Sequence, residues 1–117
     1  MSTKICVLGA GGRMGQSVIR ALFEQSALVL SAAVDRPDGE VVGKDCGALI
    51  GQDRTGVSVS DDLAAHLEPQ TVVIDFSSPD ALMAALPVLE SRDCALVTGT
   101  TGLDAAQAER LDAASQR

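Results

Sequence analysis

Basic residues are scarce in this chain: nine Lys and Arg face sixteen Asp and Glu, for a formal net charge of −7 and an isoelectric point near 4.4. A nucleic acid or an acidic membrane as the main partner would need a basic face, so neither is expected. No apolar stretch reaches the length of about 18 residues that spans a bilayer. Met1-Ser2-Thr3-Lys4 leads into a strand rather than into the apolar core of a signal peptide, so a cytoplasmic protein is expected. Histidine occurs once, at His66, and no CxxC or HxxxH spacing exists, which leaves no metal-ligand set. His66 is expected on the surface of a short helix. The three cysteines are odd in number and unpaired in spacing, so they read as reduced thiols. Cys6 and Cys94 are placed in buried strands as core fillers, and Cys46 in a loop.

What the chain does have is glycine in a particular place. The apolar run Ile5-Cys6-Val7-Leu8 drops into Gly9-Ala10-Gly11-Gly12-Arg13-Met14-Gly15 and then into a helix-forming segment. Glycine at Gly9 permits a tight strand-to-helix bend, at Gly12 it lets backbone approach a pyrophosphate, and at Gly15 it lets the helix lie close to the strand. The N–H groups at the helix start then face an anion. The spacing is Gly-x-x-Gly-x-x-Gly, since the other common fingerprint would need glycine where Met14 stands, and a plain glycine-rich turn is the competing reading. No Gly-Lys-Ser/Thr follows, which disfavours a nucleoside-triphosphate loop with its lysine and magnesium-binding hydroxyl.

The second strand, Leu28 to Val34, ends at Asp35, twenty positions beyond Gly15 (35 minus 15). An acid there can accept the hydroxyl protons of an adenosine ribose. Arg36 beside it can meet a 2′-phosphate bidentately or lie on an adenine face, so both NADH and NADPH are expected to be accepted. A polar turn with solvated charges is the alternative for Asp35 to Gly39.

With 117 residues and 46% hydrophobic content the chain can bury one core, and no linker divides it. Met14, Val18 and Leu22 place one helical face on the sheet over about Arg13 to Gln25. Five glycines and poor periodicity mark 36–56 as a long connection with one helical turn near Asp45 to Leu49. Val57 to Val59 reads as a third strand, Ser60 as the cap of a helix from Asp61, and Thr71 to Ile74 as a fourth strand buried on both faces. Ser78-Pro79 starts a helix running to about Ser91, which Pro87 should kink or split. Cys94 to Val97 forms strand five, and after Thr98-Gly99-Thr100-Thr101-Gly102 a last helix covers Asp104 to Ala114. Strands that alternate with helices and consist of short apolar runs indicate an α/β fold, a Rossmann-like doubly wound parallel sheet of about five strands. The unusual loops, after strands one, four and five, share the carboxyl edge where such sheets bind ligands.

Together, Val7 to Gly15, Ala33-Val34-Asp35-Arg36, Val73-Ile74-Asp75-Phe76-Ser77 and Val97 to Gly102 resemble the amino-terminal domain of the bacterial 4-hydroxy-tetrahydrodipicolinate reductase family, formerly called dihydrodipicolinate reductases. The resemblance covers essentially the whole chain. It implies the cofactor-binding part of an NAD(P)H-dependent reductase in the diaminopimelate route to lysine. By position it implies that Gly9, Ala10, Gly11, Gly12, Arg13 and Met14 wrap the pyrophosphate. Asp35 would hold the ribose and Arg36 the 2′-phosphate, Phe76 would line the cleft, and Gly99, Thr100 and Thr101 would receive the nicotinamide end. Small hydroxyls and backbone amides there can orient a carboxamide, and a loop selected for turn geometry alone is the alternative. The His-His-x-x-Lys-x-Asp-x-Pro-Ser-Gly-Thr motif that supplies the family's proton donor is absent, and the only lysines, Lys4 and Lys44, match nothing in it. The expectation is therefore that 1–117 is an incomplete unit without the substrate domain, with no catalytic residue, inactive alone and monomeric, while the full-length family member is a homotetramer. A stand-alone nucleotide-binding or redox-sensing module is the rival reading. A different dehydrogenase, acting on a semialdehyde or homoserine, would share the glycine loop without requiring Gly99 to Gly102.

Overall fold

The computed structural model describes residues 3–115. The elements in chain order are β1 (Thr3–Leu8), α1 (Arg13–Leu22), β2 (Leu28–Val34), α2 (Cys46–Leu49), β3 (Val59–Ser60), α3 (Leu63–His66), β4 (Val72–Asp75), α4 (Pro79–Ser91), β5 (Ala95–Thr98) and α5 (Ala105–Ser115). All five strands are parallel, in the order β3-β2-β1-β4-β5. The chain starts in the middle of the sheet, works outward to β3, then returns past β1 to β4 and β5. Right-handed crossovers in opposite directions put the helices on opposite faces.

Ile5, Val7 and Ala33 pack on one face beneath Ile19 and Leu22 of α1, with Cys46, Ile50 and Val59 completing that core. Cys6, Leu8, Ala32, Val34 and Val73 face the other way, against Leu67, Ala85 and Leu89. An irregularity in β2 makes this division possible. The register runs from Ile5 opposite Leu30 to Cys6 opposite Ala32, skipping Ser31, whose hydroxyl donates to the Ile5 carbonyl. The extra residue reverses the phase of the strand. Leu28 and Leu30 therefore pack on the α1 side, while Ala32 and Val34, with the same parity, serve the α4 side.

Several sequence expectations shift. α1 ends at Leu22 rather than near Gln25, and β3 is Val59–Ser60 rather than Val57 to Val59. The cap of α3 is Asp62, whose carboxylate accepts the Ala65 N–H; Ser60 instead accepts from Asp62 N–H, one step before the helix. β4 is not buried on both faces along its length: Val73 and Asp75 are buried while Val72 and Ile74 are half-buried. α4 runs unbroken through Pro87, whose ring lies on the exposed side, so the helix does not split there. Its start is as expected, with Ser78 accepting the Ala81 N–H and Pro79 in the first turn. Cys46 is buried on α2, not loose in a loop, and Cys94 is only half-buried, just ahead of β5. Burial pushes the Cys6 thiol up to about 12, with Cys94 adding to the effect, and the Cys46 thiol up to about 11, with Asp45 adding. His66 is exposed on α3 as expected.

Candidate functional site

A cleft of about 890 Å³ opens at the carboxyl edge of the sheet, between the loops after β1, β2 and β4 and the facing sides of α3 and α4. Its floor is the glycine loop. Gly9, at φ +85°, donates to the Val34 carbonyl at 2.8 Å, and Ala10 donates to the same oxygen at 3.1 Å. Gly12 N–H returns to the Gly9 carbonyl, so the loop is tied to the end of β2 and to itself.

The glycines divide by what a side chain would meet. A Cβ at Gly9 would lie 2.7 Å from the Phe76 carbonyl oxygen, and at Gly11 it would strike the Asp35 carboxylate and Val41. At Gly15 it would collide with the Gly9 carbonyl and lie 2.8 Å from Ala10 Cα. Backbone surrounds the Cβ positions of Gly9 and Gly15, so the fold itself requires glycine at both, whereas Gly11 is crowded only by side chains that border the cleft. Gly12 differs: its φ is an ordinary −77° and a Cβ there would meet nothing nearer than the Gly9 carbonyl at 3.6 Å. It caps α1 without a side chain, leaving the first-turn N–H groups clear of any capping oxygen.

Asp35 stands at the end of β2 with both carboxylate oxygens engaged. Gly11 N–H donates to one at 2.8 Å and Arg36 N–H to the other at 2.8 Å. Each oxygen keeps a lone pair for a further donor. The Arg36 side chain is 78% exposed and its Nε lies 3.5 Å from Asp38. Asp38, Glu40, Asp61 and Asp62 also line the cleft, and Arg36 is the one cationic side chain among the lining residues.

Of the residues singled out from sequence, Gly9, Gly11, Gly12, Asp35, Arg36 and Phe76 meet on this cleft. Ala10 is buried beneath it, and Arg13 and Met14 are exposed at the start of α1, off its wall. Gly99, Thr100 and Thr101 also lie off the wall but at the same sheet edge, where Gly99 packs on the Phe76 ring so closely that a Cβ would lie 2.7 Å from Cδ1. Two features escaped sequence reasoning. The apolar wall of Leu8, Val34, Leu63, Ala81, Ala85 and Val88 carries the periodicity of ordinary core residues, which gives no sign of which ones face an opening. The other is Asp75, fully buried at the end of β4, where a carboxylate closing an apolar run was the available signal.

Comparison with known proteins adds the following. Residues 3–117 match the family described as "Dihydrodipicolinate reductase, N-terminus". A 4-hydroxy-tetrahydrodipicolinate reductase of Alkalilimnicola ehrlichii is 47% identical over 98% of this chain and 43% of its own length. One from Halorhodospira halophila is 41% identical over 95% of this chain and 42% of its own. This chain thus spans less than half the length of these curated relatives. Among solved structures, a dipicolinate-bound dihydrodipicolinate reductase from Paenisporosarcina sp. TG-14 superposes with a TM-score of 0.72 at 19% identity, over 98% of this chain and 43% of that one, which establishes the shared fold.

Proposed function

Since the chain belongs to the dihydrodipicolinate reductase N-terminal family, we propose that it is the cofactor-binding part of an NAD(P)H-dependent reductase acting on 4-hydroxy-tetrahydrodipicolinate, in the diaminopimelate route to lysine. The observation that carries this reading is Gly12. The fold needs glycine at Gly9 and Gly15 for its own packing and the Asp35 and Val41 side chains crowd Gly11, whereas nothing crowds a side chain at Gly12, which lines the cleft. A ligand's approach accounts for glycine there, and a pyrophosphate suits bare first-turn N–H groups at the positive end of a helix. The cleft falls in the size range of cofactor sites.

On this reading Gly9 to Met14 bear the pyrophosphate, chiefly through the amides of the first turn of α1. Asp35 accepts the ribose hydroxyls, Arg36 meets the 2′-phosphate of NADPH, and the apolar wall between α3 and α4 takes the adenine. Phe76, Gly99, Thr100 and Thr101 hold the nicotinamide end. The dinucleotide supplies a hydride, and this chain fixes its orientation and shields it. The proton donor and the substrate contacts come from residues other than those of this chain, so the site residues named here bind and do not catalyse. The complete protein is read as a cytoplasmic homotetramer and this segment alone as a monomer. Among the described residues no helix is long and apolar enough to cross a membrane.

Calorimetric titration of the chain with NADH and NADPH, beside a Gly12→Val variant, tests the proposal. Binding by the parent that Gly12→Val removes while the fold persists supports it. A folded parent that binds neither dinucleotide overturns it.

A further inference from the structure

Asp75 is a fully buried carboxylate that none of the roles above uses. It ends β4, in register with Leu8 on one side and Thr98 on the other, so it sits where the loops after β4 and β5 leave the sheet. One carboxylate oxygen accepts the Ser77 N–H at 2.9 Å and the Ser77 hydroxyl. The other accepts the Thr98 hydroxyl at 2.7 Å and the Thr100 hydroxyl at 2.6 Å. A buried charge is costly unless hydrogen-bonded, and here four donors satisfy it, two from Ser77 after β4 and one each from Thr98 at the end of β5 and Thr100 in the loop beyond.

The choice of carboxylate over amide has a geometric consequence. An ionised carboxylate only accepts, so each hydroxyl must turn its hydrogen inward. That leaves the Thr98 oxygen free to accept the Thr100 N–H, which it does at 3.2 Å. Above this network the Gly99 N–H donates to the Asp75 carbonyl at 2.8 Å and the Phe76 ring covers Gly99. The two loops are thereby locked to each other from below by charge-assisted hydrogen bonds and from above by ring packing.

We infer that Asp75 is a positioning residue that clamps the loop of Gly99, Thr100 and Thr101 to that of Phe76, setting the part of the site that receives the nicotinamide half of the dinucleotide. This rests on the cofactor reading proposed above. Because Asp75 acts at one end of the ligand, it controls affinity for the nicotinamide half and leaves the adenosine half alone.

The experiment compares NADH with ADP-ribose, which lacks the nicotinamide, as ligands for the full chain and for Asp75→Asn. The asparagine keeps the shape but, with its oxygen held by the Ser77 N–H, turns an N–H₂ toward Thr98 and Thr100, so the threonine hydroxyls lose the acceptor to which they donate. Affinity for NADH is expected to fall about tenfold, the size of one lost hydrogen bond to a charged group, while that for ADP-ribose stays within about twofold. The fluorescence enhancement of bound NADH, which reports an ordered nicotinamide, should fall as well. Thr98→Val removes one donor, together with the acceptor of the Thr100 N–H, at a residue given no contact with the ligand, and leaves the buried carboxylate in place; it should move both readouts in the same direction, and it carries the test if Asp75→Asn does not fold. Equal losses for the two ligands, or no change in a folded variant, overturn the inference. A parent chain that binds neither NADH nor ADP-ribose overturns the cofactor reading itself, and the inference with it.

Discussion

At the scale of single residues, Gly12 and Gly15 make the sharpest contrast, because both are glycines of the same turn and only one is required by packing. Alanine at Gly15, inside α1, would gain about 1 kcal/mol of helix propensity. Against this, its Cβ meets the Gly9 carbonyl and Ala10 Cα, both backbone atoms that cannot turn aside. Forcing strand and helix apart costs about 3 kcal/mol, so the collision wins. At Gly12 the same substitution meets only open space, and the loss is limited to about 1 kcal/mol for a poorer N-cap. Denaturant unfolding should therefore show Gly15→Ala clearly more destabilised than Gly12→Ala, while calorimetry shows dinucleotide binding weakened in Gly12→Ala. Equal stability of the two variants would show that the turn relaxes freely. Arg36 gives a second test at this scale. As the one cation among the cleft-lining side chains, surrounded by five carboxylates, it alone can offset a 2′-phosphate. Arg36→Ala should weaken NADPH about tenfold, the value of a charge-assisted hydrogen bond, with NADH changed far less. Parallel losses for both cofactors in a binding titration would remove Arg36 from the 2′-phosphate role.

At the scale of elements, one side chain adds to backbone bonds such as Cys46 N–H to the Val57 carbonyl in holding the long connection between β2 and β3 in shape. The Asp45 carboxylate accepts the N–H groups of Gly47, Thr55 and Gly56 as well as the Thr55 hydroxyl, tying both ends of the α2 loop together. These bonds, that from Thr55 N–H foremost, lower its pKa below 3.8 against a smaller desolvation effect. A group whose folded pKa is depressed lends stability that is complete above its unfolded value and fades as pH falls through the folded one. The gap in unfolding midpoint between the parent and Asp45→Asn should hence be constant above about pH 5 and close as pH drops below the ordinary aspartate value. A gap that persists unchanged at pH 2 would contradict the assignment. α4 supplies the opposite case, a local defect. Pro87 forgoes one helical hydrogen bond on the exposed side, so Pro87→Ala should raise stability by about 1–2 kcal/mol, the helix gain less the entropy returned to the unfolded chain. A lower midpoint for Pro87→Ala would mean that the ring packs in a way the alanine cannot replace.

These elements also mark how far the sequence was legible. The order of strands and helices could be read because apolar runs and the signals at Gly9, Ser78 and Pro79 are local. The start of β3 and the cap of α3 were misplaced by one or two residues because Ser60 and Asp62 are equally good caps, and the choice is made by Asp35 N–H, which claims the Ser60 carbonyl as the sheet extends. In the candidate site, glycine loop and Asp35 announce themselves by spacing. Asp75 does not, since beyond the neighbouring Ser77 its partners Thr98 and Thr100 are brought to it by strand pairing across more than twenty residues of chain. The bulge at Ser31, which assigns Ala32 and Val34 to the α4 side, likewise has no local signature.

For the molecule as a whole, the direction of chain travel decides which surfaces are covered. α1 and α2 follow the outward path from β1 to β3 and shield one face over that half of the sheet. α4 follows the path from β4 to β5 on the other face, and α5 packs against α4, joined by the Arg110–Glu90 ion pair. The cover over the α1 face thins toward β5: Val72 and Ile74 of β4 still pack against the cluster that holds Ile19 and Leu22, and no residue of β5 does. The strand register shows the result: Ile5 is buried in β1, its partner Val72 is half-buried, and Ala95 beyond it is exposed; Val7, Ile74 and Val97 repeat the gradient, with Val97 58% exposed. Hydrophobicity in this row therefore does not measure contribution to stability. Val73, on the other face and fully buried, should cost about 2 kcal/mol or more on replacement by alanine. Val97→Ala should stay within about 0.5 kcal/mol in the same chain, both valines lying in parallel strands but Val73 in the inner β4 and Val97 in the edge strand β5. Chemical unfolding of the two variants side by side checks this, and a Val97→Ala loss as large as that of Val73→Ala would mean that another surface, such as a second copy of the chain, covers this face in solution.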